Sequence, residues 1–346
     1  MTHTAYIGTD SVRHSQGIYT VSMDAETGNA RILSAAPARD SGYVALTADG
    51  RFLYATIECM LYRGKACAAV AAYKVNEDGS LTYLNEQPAG GQLAAHIEVS
   101  KDGKTLYVSG YLSGNITVFP VREDGTIAPY THVLQDPMVN GAYPHVHCTK
   151  LSPDGHWLCA MEVGTGSVDL YETASGNYEK VFSFATGPVR PRHITFSKDG
   201  SMIYVITEIS SEIYVFKFQP EAEEKLVRVQ TVRTVPDDFN GMSFSAGIRF
   251  SPDSSLIVAS TRGPGDGDAV MVFRVGEGGL ITMSQYLPTT GESPRDFNFT
   301  PDGKYVLVGL QHSDRMAVYK VDYQAAKLVL VSDDLPIVAS SCVVFA

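Results

Sequence analysis

The sequence predicts an all-β protein, a seven-bladed β-propeller of four-stranded antiparallel blades, and three observations carry that reading. First, one short phrase recurs: TADGRFLYA at Thr47–Ala55, SKDGKTLYV at Ser100–Val108, SPDGHWLCA at Ser152–Ala160, SKDGSMIYV at Ser197–Val205, SPDSSLIVA at Ser251–Ala259 and TPDGKYVLV at Thr300–Val308. Its aspartates, Asp49, Asp102, Asp154, Asp199, Asp253 and Asp302, are spaced 53, 52, 45, 54 and 49 residues apart. A period near 50 residues built from strands signals a radial array. Second, each repeat resolves into four β-rich runs. HITFS, the turn KDG, SMIYVIT, IYVFKF and LVRVQTVRT follow one another from His193, and strand runs broken by Asp-Gly turns are hairpins. Four such strands make a propeller blade. Third, the two ends complement each other. TAYIGTD near the start aligns with RFLYATIE but lacks an inner strand before it, and SSCVVFA at the end resembles an inner strand without its turn. Placing the C-terminal strand inside the first blade completes a seventh blade, closes the ring and removes two exposed edges.

Composition agrees with one domain spanning residues 1–346. No Pro/Gly/Ser linker or charge run divides the chain, and all-β rings run long as single units. No apolar run approaches the ~18 residues of a membrane span, and MTHTAYIGTD lacks a basic-then-apolar leader pattern. Five scattered cysteines, Cys59, Cys67, Cys148, Cys159 and Cys342, show no CxxC spacing. They suggest reduced thiols in a cytoplasmic protein rather than a disulfide or zinc framework. A net charge of −11 argues against a nucleic-acid surface. A single tryptophan, Trp157, argues against WD40 repeats.

Propeller geometry places the site. The first and second strands of a blade are antiparallel, so the start of one and the end of the other share a rim near the axis, where ligand sites favour the mouth. The first set of positions holds His96, Pro144-His145-Val146-His147, Arg190-Pro191-Arg192-His193, Ser245 and Pro294-Arg295-Asp296. The second holds Glu58, Tyr111, Glu162, Glu208, Arg262 and Gln311-His312. Five of the nine histidines fall at these two places, and arginines gather there within an acidic chain. A cationic focus in an acidic ring points to an anionic small molecule. Histidine and glutamate move protons near neutral pH, and arginine grips carboxylate or phosphate and stabilises an oxyanion. No Gly-x-Ser-x-Gly elbow and no HExxH occur. His145 and His147, two residues apart on a strand, form the one candidate metal pair, in an arginine-rich setting that repels cations; neither metal nor cofactor is expected.

Each of these residues also has a structural reading. Glu208 suits an ion pair with Arg192 or Arg262. Strand alternation turns Arg192 and His193 to opposite sides, with Arg192 favoured for the funnel. His96 suits a bond to a neighbouring blade, Glu58 a salt bridge to the loop CMLYRGKAC, Arg295 a pair with Asp296, and Arg190 a loop charge.

The chain resembles the seven-bladed propeller lactonase family, which includes bacterial cycloisomerase-type 6-phosphogluconolactonases and fungal carboxy-cis,cis-muconate lactonizing enzymes. The resemblance covers essentially the whole chain. It is carried by YIGT (Tyr6–Thr9), DGRFLYATIE (Asp49–Glu58), LNEQPAGG (Leu84–Gly91), PHVHCTKLSPDG (Pro144–Gly155), RPRHITFSKDG (Arg190–Gly200), ITEISSEIYVF (Ile206–Phe216), TRG (Thr261–Gly263) and ESPRDFNFTPDGKYVLVGLQ (Glu292–Gln311). It implies that His147, Arg192, Glu208 and Arg262 are catalytic, and that His145, His193, Glu58 and Arg295 are further funnel positions. His96, Tyr111 and Gln311 join them as candidate substrate contacts. The chain departs from the family's pattern at Leu93-Ala94-Ala95, where the family often has Gly-Pro-x before the histidine, and at Gly110, Thr207, Thr261 and Leu310, where it often has asparagine, while its charged set is intact.

The resemblance implies a hydrolase of a sugar lactone, 6-phosphogluconolactone or a near relative, in the pentose phosphate pathway of carbohydrate metabolism. Glu208 or His147 would be general base. Arg192 or Arg262 would stabilise the oxyanion, and the remaining arginine with Arg295 would hold phosphate or carboxylate. The same constellation suits cyclisation of a carboxy-muconate-like acid. A non-catalytic binding propeller is the third reading, with Tyr43, Tyr111 and Tyr143 near its rim.

Overall fold

Each copy of the recurring phrase folds as the same turn. The Ser or Thr hydroxyl donates to the aspartate two residues on, as Ser100 does to Asp102 (2.6 Å), Ser197 to Asp199 (2.6 Å) and Thr300 to Asp302 (2.7 Å). That aspartate accepts the N–H of the residue two further along, such as Lys104 or Lys304, both at 3.1 Å. The hydroxyl oxygen in turn accepts the N–H that starts the next strand, as from Thr105 (2.9 Å) and Met202 (2.9 Å). The glycine takes a left-handed backbone, with φ of +70 to +77° at Gly50, Gly103, Gly155, Gly200 and Gly303, which costs glycine little. In SPDSSL the same corner is held by Ser254 at φ +62°. These bonds hold the carboxyls of Asp49, Asp102 and Asp199 below the usual carboxylate range, Asp49 down to about 2, the first cause being the hydroxyls of Thr47, Ser100 and Ser197.

The computed structural model describes residues 1–346. The six turns join the first and second strands of six blades, and the whole is seven four-stranded antiparallel sheets. Blade 2 is Val44–Leu46, Phe52–Ile57, Ala69–Val75 and Leu81–Pro88. Blades 3 to 7 begin with inner strands Ala94–Val99, Val146–Leu151, Pro191–Phe196, Phe244–Phe250 and Pro294–Phe299. Blade 1 takes its inner strand from the far end of the chain. Ser340–Phe345 pairs antiparallel with Thr2–Thr9, in register Ala5 with Phe345 and Gly8 with Cys342, as the complementary ends require. Only three single 3-10 turns interrupt the all-β pattern, and no helix is long and apolar enough to cross a membrane.

The core lies between blades. One apolar cluster joins Tyr204, Ile206 and Val215 of blade 5 to Ile257, Met271 and Phe273 of blade 6, and the other clusters likewise bridge neighbouring sheets. The tyrosine of the repeat serves this junction. Its ring packs in the interface while its hydroxyl reaches a backbone carbonyl on the next blade: Tyr6 to Gly79 (3.1 Å), Tyr54 to Gly125 (3.2 Å) and Tyr204 to Gly279 (2.7 Å); in blade 7, Tyr305, two positions earlier in the phrase, reaches Glu26 (2.6 Å). A buried hydroxyl without such an acceptor would be costly.

Ser254→Gly should stabilise the protein by about 0.5–1 kcal/mol, because a left-handed corner penalises any Cβ more than glycine's entropy costs. A higher urea midpoint with an unchanged slope would show it.

Candidate active site

Two repeated devices build the rim. In six blades the N–H just past the second strand donates to the carbonyl of the residue that opens the first. Asp10 bonds Ala339, Glu58 bonds Asp40, Tyr111 bonds Leu93, Val163 bonds His145, Glu208 bonds Arg190 and Gln311 bonds Ser293, all at 2.8–3.2 Å. The opening residue is left-handed at Asp40, Leu93, Arg190, Ser293 and Ala339, with φ of +45 to +58°. Arg190 is exposed and serves this backbone corner.

The second device is a β-bulge two residues further on. Val146 pairs with Glu162 and Cys148 with Met161, so His147 is the extra residue. Arg192 lies between Pro191 and His193 in the same way, and Arg295 between Pro294 and Asp296. Ala95 and Ser341 hold the same place on blades 3 and 1. A bulge breaks alternation and re-aims a side chain. The expectation that Arg192 and His193 face opposite ways is therefore corrected: both turn inward, in successive layers.

The upper layer holds the charge. Arg192 is almost fully buried; its Nη1 donates to the Ala246 carbonyl (2.7 Å), and its Nε lies 3.9 Å from Glu208 Oε1. Arg262 Nη2 donates to the same Glu208 oxygen at 2.7 Å. Both Nε–H groups are buried without a partner. Burial, then the charges of Arg262 and Arg295, press the Arg192 guanidinium below its ordinary value, and burial followed by Arg295 does the same to Arg262. Guanidinium keeps its proton at neutral pH regardless, so the positive charges stay crowded. Arg295 forms no ion pair, because its neighbour Asp296 turns away to Arg249 (2.9 and 3.1 Å) and to the Val343 N–H (3.0 Å). Glu208 and Arg262 open onto a cavity of about 520 Å³ walled by Phe244, Asp268, Glu292 and His312.

His145 stacks on Tyr111 with ring centroids 4.9 Å apart, and its Nδ1 bonds the Tyr111 carbonyl at 2.8 Å. Its N–H bonds Glu162, whose carboxylate also takes Thr165. His147 meets the edge of Tyr111 and leaves Nδ1 unpartnered. Burial, then Arg192 and Arg295, keep His147 neutral. No three His, Cys, Asp or Glu side chains gather in a metal-holding group.

His96 and His193 belong to the layer below. Their rings are 6.0 Å apart, His96 lies 4.2 Å from Tyr43, and His193 lies 5.3 Å from His147. With Tyr43, Glu98, Lys150 and Arg249 they line a separate cavity of about 280 Å³ along the axis. Burial drives both imidazoles well below their ordinary pKa. Gln311 donates to Asp10 Oδ2 at 2.7 Å. Asp10 had not been singled out in the sequence, yet TAYIGTD aligned on RFLYATIE places Asp10 on Glu58. Glu58 makes no salt bridge to the CMLYRGKAC loop; there Arg63 pairs with Glu86.

Residues 4–345 match the family model described as lactonase, 7-bladed beta-propeller. The chain belongs to that family. It is an enzyme, a lactone hydrolase. It is 28% identical to the 6-phosphogluconolactonase of Bacillus subtilis, over 99% of this chain and 98% of that one. It is also 28% identical to the 6-phosphogluconolactonase of Formosa agariphila, over 94% of each. Among solved structures it superposes on the periplasmic gluconolactonase of Pseudomonas aeruginosa with a TM-score of 0.91 and 26% identity, covering 100% of this chain and 99% of that one.

The two neighbouring arginines should separate in a stability assay. Arg249→Ala leaves Asp296 buried and unpaired and should cost about 3 kcal/mol. Arg295→Ala breaks no pair and should stay within about 0.5 kcal/mol of the wild type. Urea unfolding of the two lactonase variants measures the contrast.

Proposed function

We propose that this lactonase hydrolyses an anionic sugar lactone of the 6-phosphogluconolactone type, with no metal, by general-base catalysis in the upper funnel. The observation that carries the reading is the charge of that layer. Arg192, Arg262 and Arg295 stand on three successive blades, and Glu208 is the one carboxylate paired with them. The surplus of two positive charges suits a phosphate dianion. The unpaired Arg295 is the natural phosphate holder.

Glu208 is the better base of the two candidates. Oε1 is held by Arg262, which leaves Oε2 for a water in the open cavity. His147 is neutral but poorly basic, since the same arginines that crowd it oppose an imidazolium; it serves as a neutral hydrogen-bonding contact. Glu208 takes a proton from water as the oxygen attacks the lactone carbonyl. The unpartnered Nε–H groups of Arg192 and Arg262 receive the developing oxyanion. A cationic funnel disfavours a metal ion, and lactone opening needs none when arginines supply the charge. The five cysteines, all buried and unpaired, fit a reducing compartment such as the cytoplasm.

Freshly made 6-phosphoglucono-δ-lactone should be turned over well above its spontaneous rate, equally with and without a chelator. Glu208→Gln should lower kcat by roughly 100- to 10,000-fold with little change in KM. Wild-type turnover in that variant would remove Glu208 as base. Activity on a carboxy-muconate-type acid with none on lactones would overturn the substrate class.

A further inference from the structure

We propose that Glu58 is the proton donor to the departing ring oxygen, working across the funnel from the Glu208 carboxylate. The inference rests on the lactonase reading above and adds the second half of its chemistry.

Glu58 and Glu208 occupy the same post on different blades. Each follows a second strand, Phe52–Ile57 or Met202–Thr207, and each N–H is tied to the opening residue of its inner strand, Asp40 at 2.9 Å and Arg190 at 2.8 Å. The posts are on blades 2 and 5 of seven, so they lie on opposite sides of the axis. The Glu58 side chain is directed inward by a glycine. In blade 2 the place filled by His147, Arg192 and Arg295 elsewhere is Gly42, and a Cβ there would lie 2.1 Å from Glu58 Oε1. The carboxyl thus takes over the axial position that a bulge side chain holds on other blades. The same missing Cβ would lie 3.0 Å from Asp10 Oδ1, so two carboxyl groups meet at one spot.

The two glutamates have opposite surroundings. Glu208 is held by Arg262 and approached by Arg192. Glu58 forms no ion pair and faces Asp10 of blade 1, Asp40 of its own blade's entry loop, Arg295 of blade 7 and Arg192 of blade 5. Burial and then Asp10 raise it to about 8, against the pull of Arg295 and Arg192. A carboxyl without a cation partner facing one clasped by arginine suits an acid and a base. At neutral pH Glu58 carries a proton, while the Glu208 carboxylate is ion-paired with arginine.

The step balances. Water oxygen bonds to the lactone carbonyl carbon while its proton passes to Glu208. The tetrahedral intermediate then breaks its bond to the ring oxygen. That electron pair stays on the ring oxygen, which takes the Glu58 proton and becomes a hydroxyl. The new carboxylic acid ionises to solvent, and the proton on Glu208 returns through solvent to Glu58. The sum is lactone plus water to hydroxycarboxylate plus one proton.

The test is the pH profile of lactone turnover, corrected for spontaneous hydrolysis, for the wild type, Glu58→Gln and Asp10→Asn. Wild-type kcat should fall as pH rises through about 8, where Glu58 loses its proton. Glu58→Gln, which keeps the shape of the side chain, should lose roughly 100-fold or more in kcat with KM little changed, and should lose the alkaline limb. Asp10→Asn should move that limb to lower pH. A wild-type rate, or an unchanged limb, in Glu58→Gln overturns the donor assignment while leaving the lactonase reading intact. Absence of wild-type turnover on any lactone defeats that reading and the donor role with it. Infrared titration then reports separately whether a protonated carboxyl, absent from Glu58→Gln, exists at neutral pH; its absence refutes the protonated glutamate itself.

Discussion

One extra residue in each of five inner strands organises the centre of this protein. Inner strands must converge on an axis too narrow for seven full side chains in each layer. In five blades a bulge sets one additional residue into that space just below the rim. In blades 4, 5 and 7 the extra residue is His147, Arg192 or Arg295. In blades 3 and 1 it is Ala95 or Ser341. The uneven distribution gathers the arginines on blades 5 to 7, where the open cavity beside Glu208 and Arg262 lies, and leaves the blade 1 and 2 side to the Asp10 and Glu58 carboxyls. Such a centre is locally unfavourable, with guanidinium groups facing one another and donors unpartnered. The surrounding sheets hold it in place, and a ligand relieves it.

Much of the fold was legible because one residue pattern has one geometric solution. Ser/Thr-x-Asp-Gly encodes a hydroxyl, a carboxylate and a left-handed corner in fixed order, and its five copies, with the Ser254 variant as a sixth, close the same hairpin. The seventh blade followed from a missing inner strand at one end and a spare one at the other. The blade tyrosine's bond to its neighbour was not legible, since nothing local marks a partner more than 70 residues away.

The site was legible to the depth of the rim and no further. Chain direction alone placed Glu208, Arg262, Arg192 and Arg295 at the mouth. Alternation then misassigned His193, because a bulge leaves no signature in the period-two pattern it interrupts. His96 and His193 look equivalent to the rim residues in sequence, yet lie a layer deeper around a different cavity. Arg295 and Asp296 are adjacent and opposite in charge, yet the aspartate pairs with Arg249 on the neighbouring blade. The position of Gly42 mattered through the side chain it omits, which only the three-dimensional packing displays.

The closing strand carries more than the ring. Ser341 donates to the carbonyl of Gly42, and the Val343 N–H bonds Asp296. The last strand of the chain therefore braces both sides of the funnel. During synthesis the earlier blades emerge and pair while blade 1 still presents an open edge, and the funnel lacks these two braces until that strand arrives. The order of the funnel thus depends on the pairing of Ser340–Phe345. A chain without that strand would expose the Thr2–Thr9 edge as a template for intermolecular pairing.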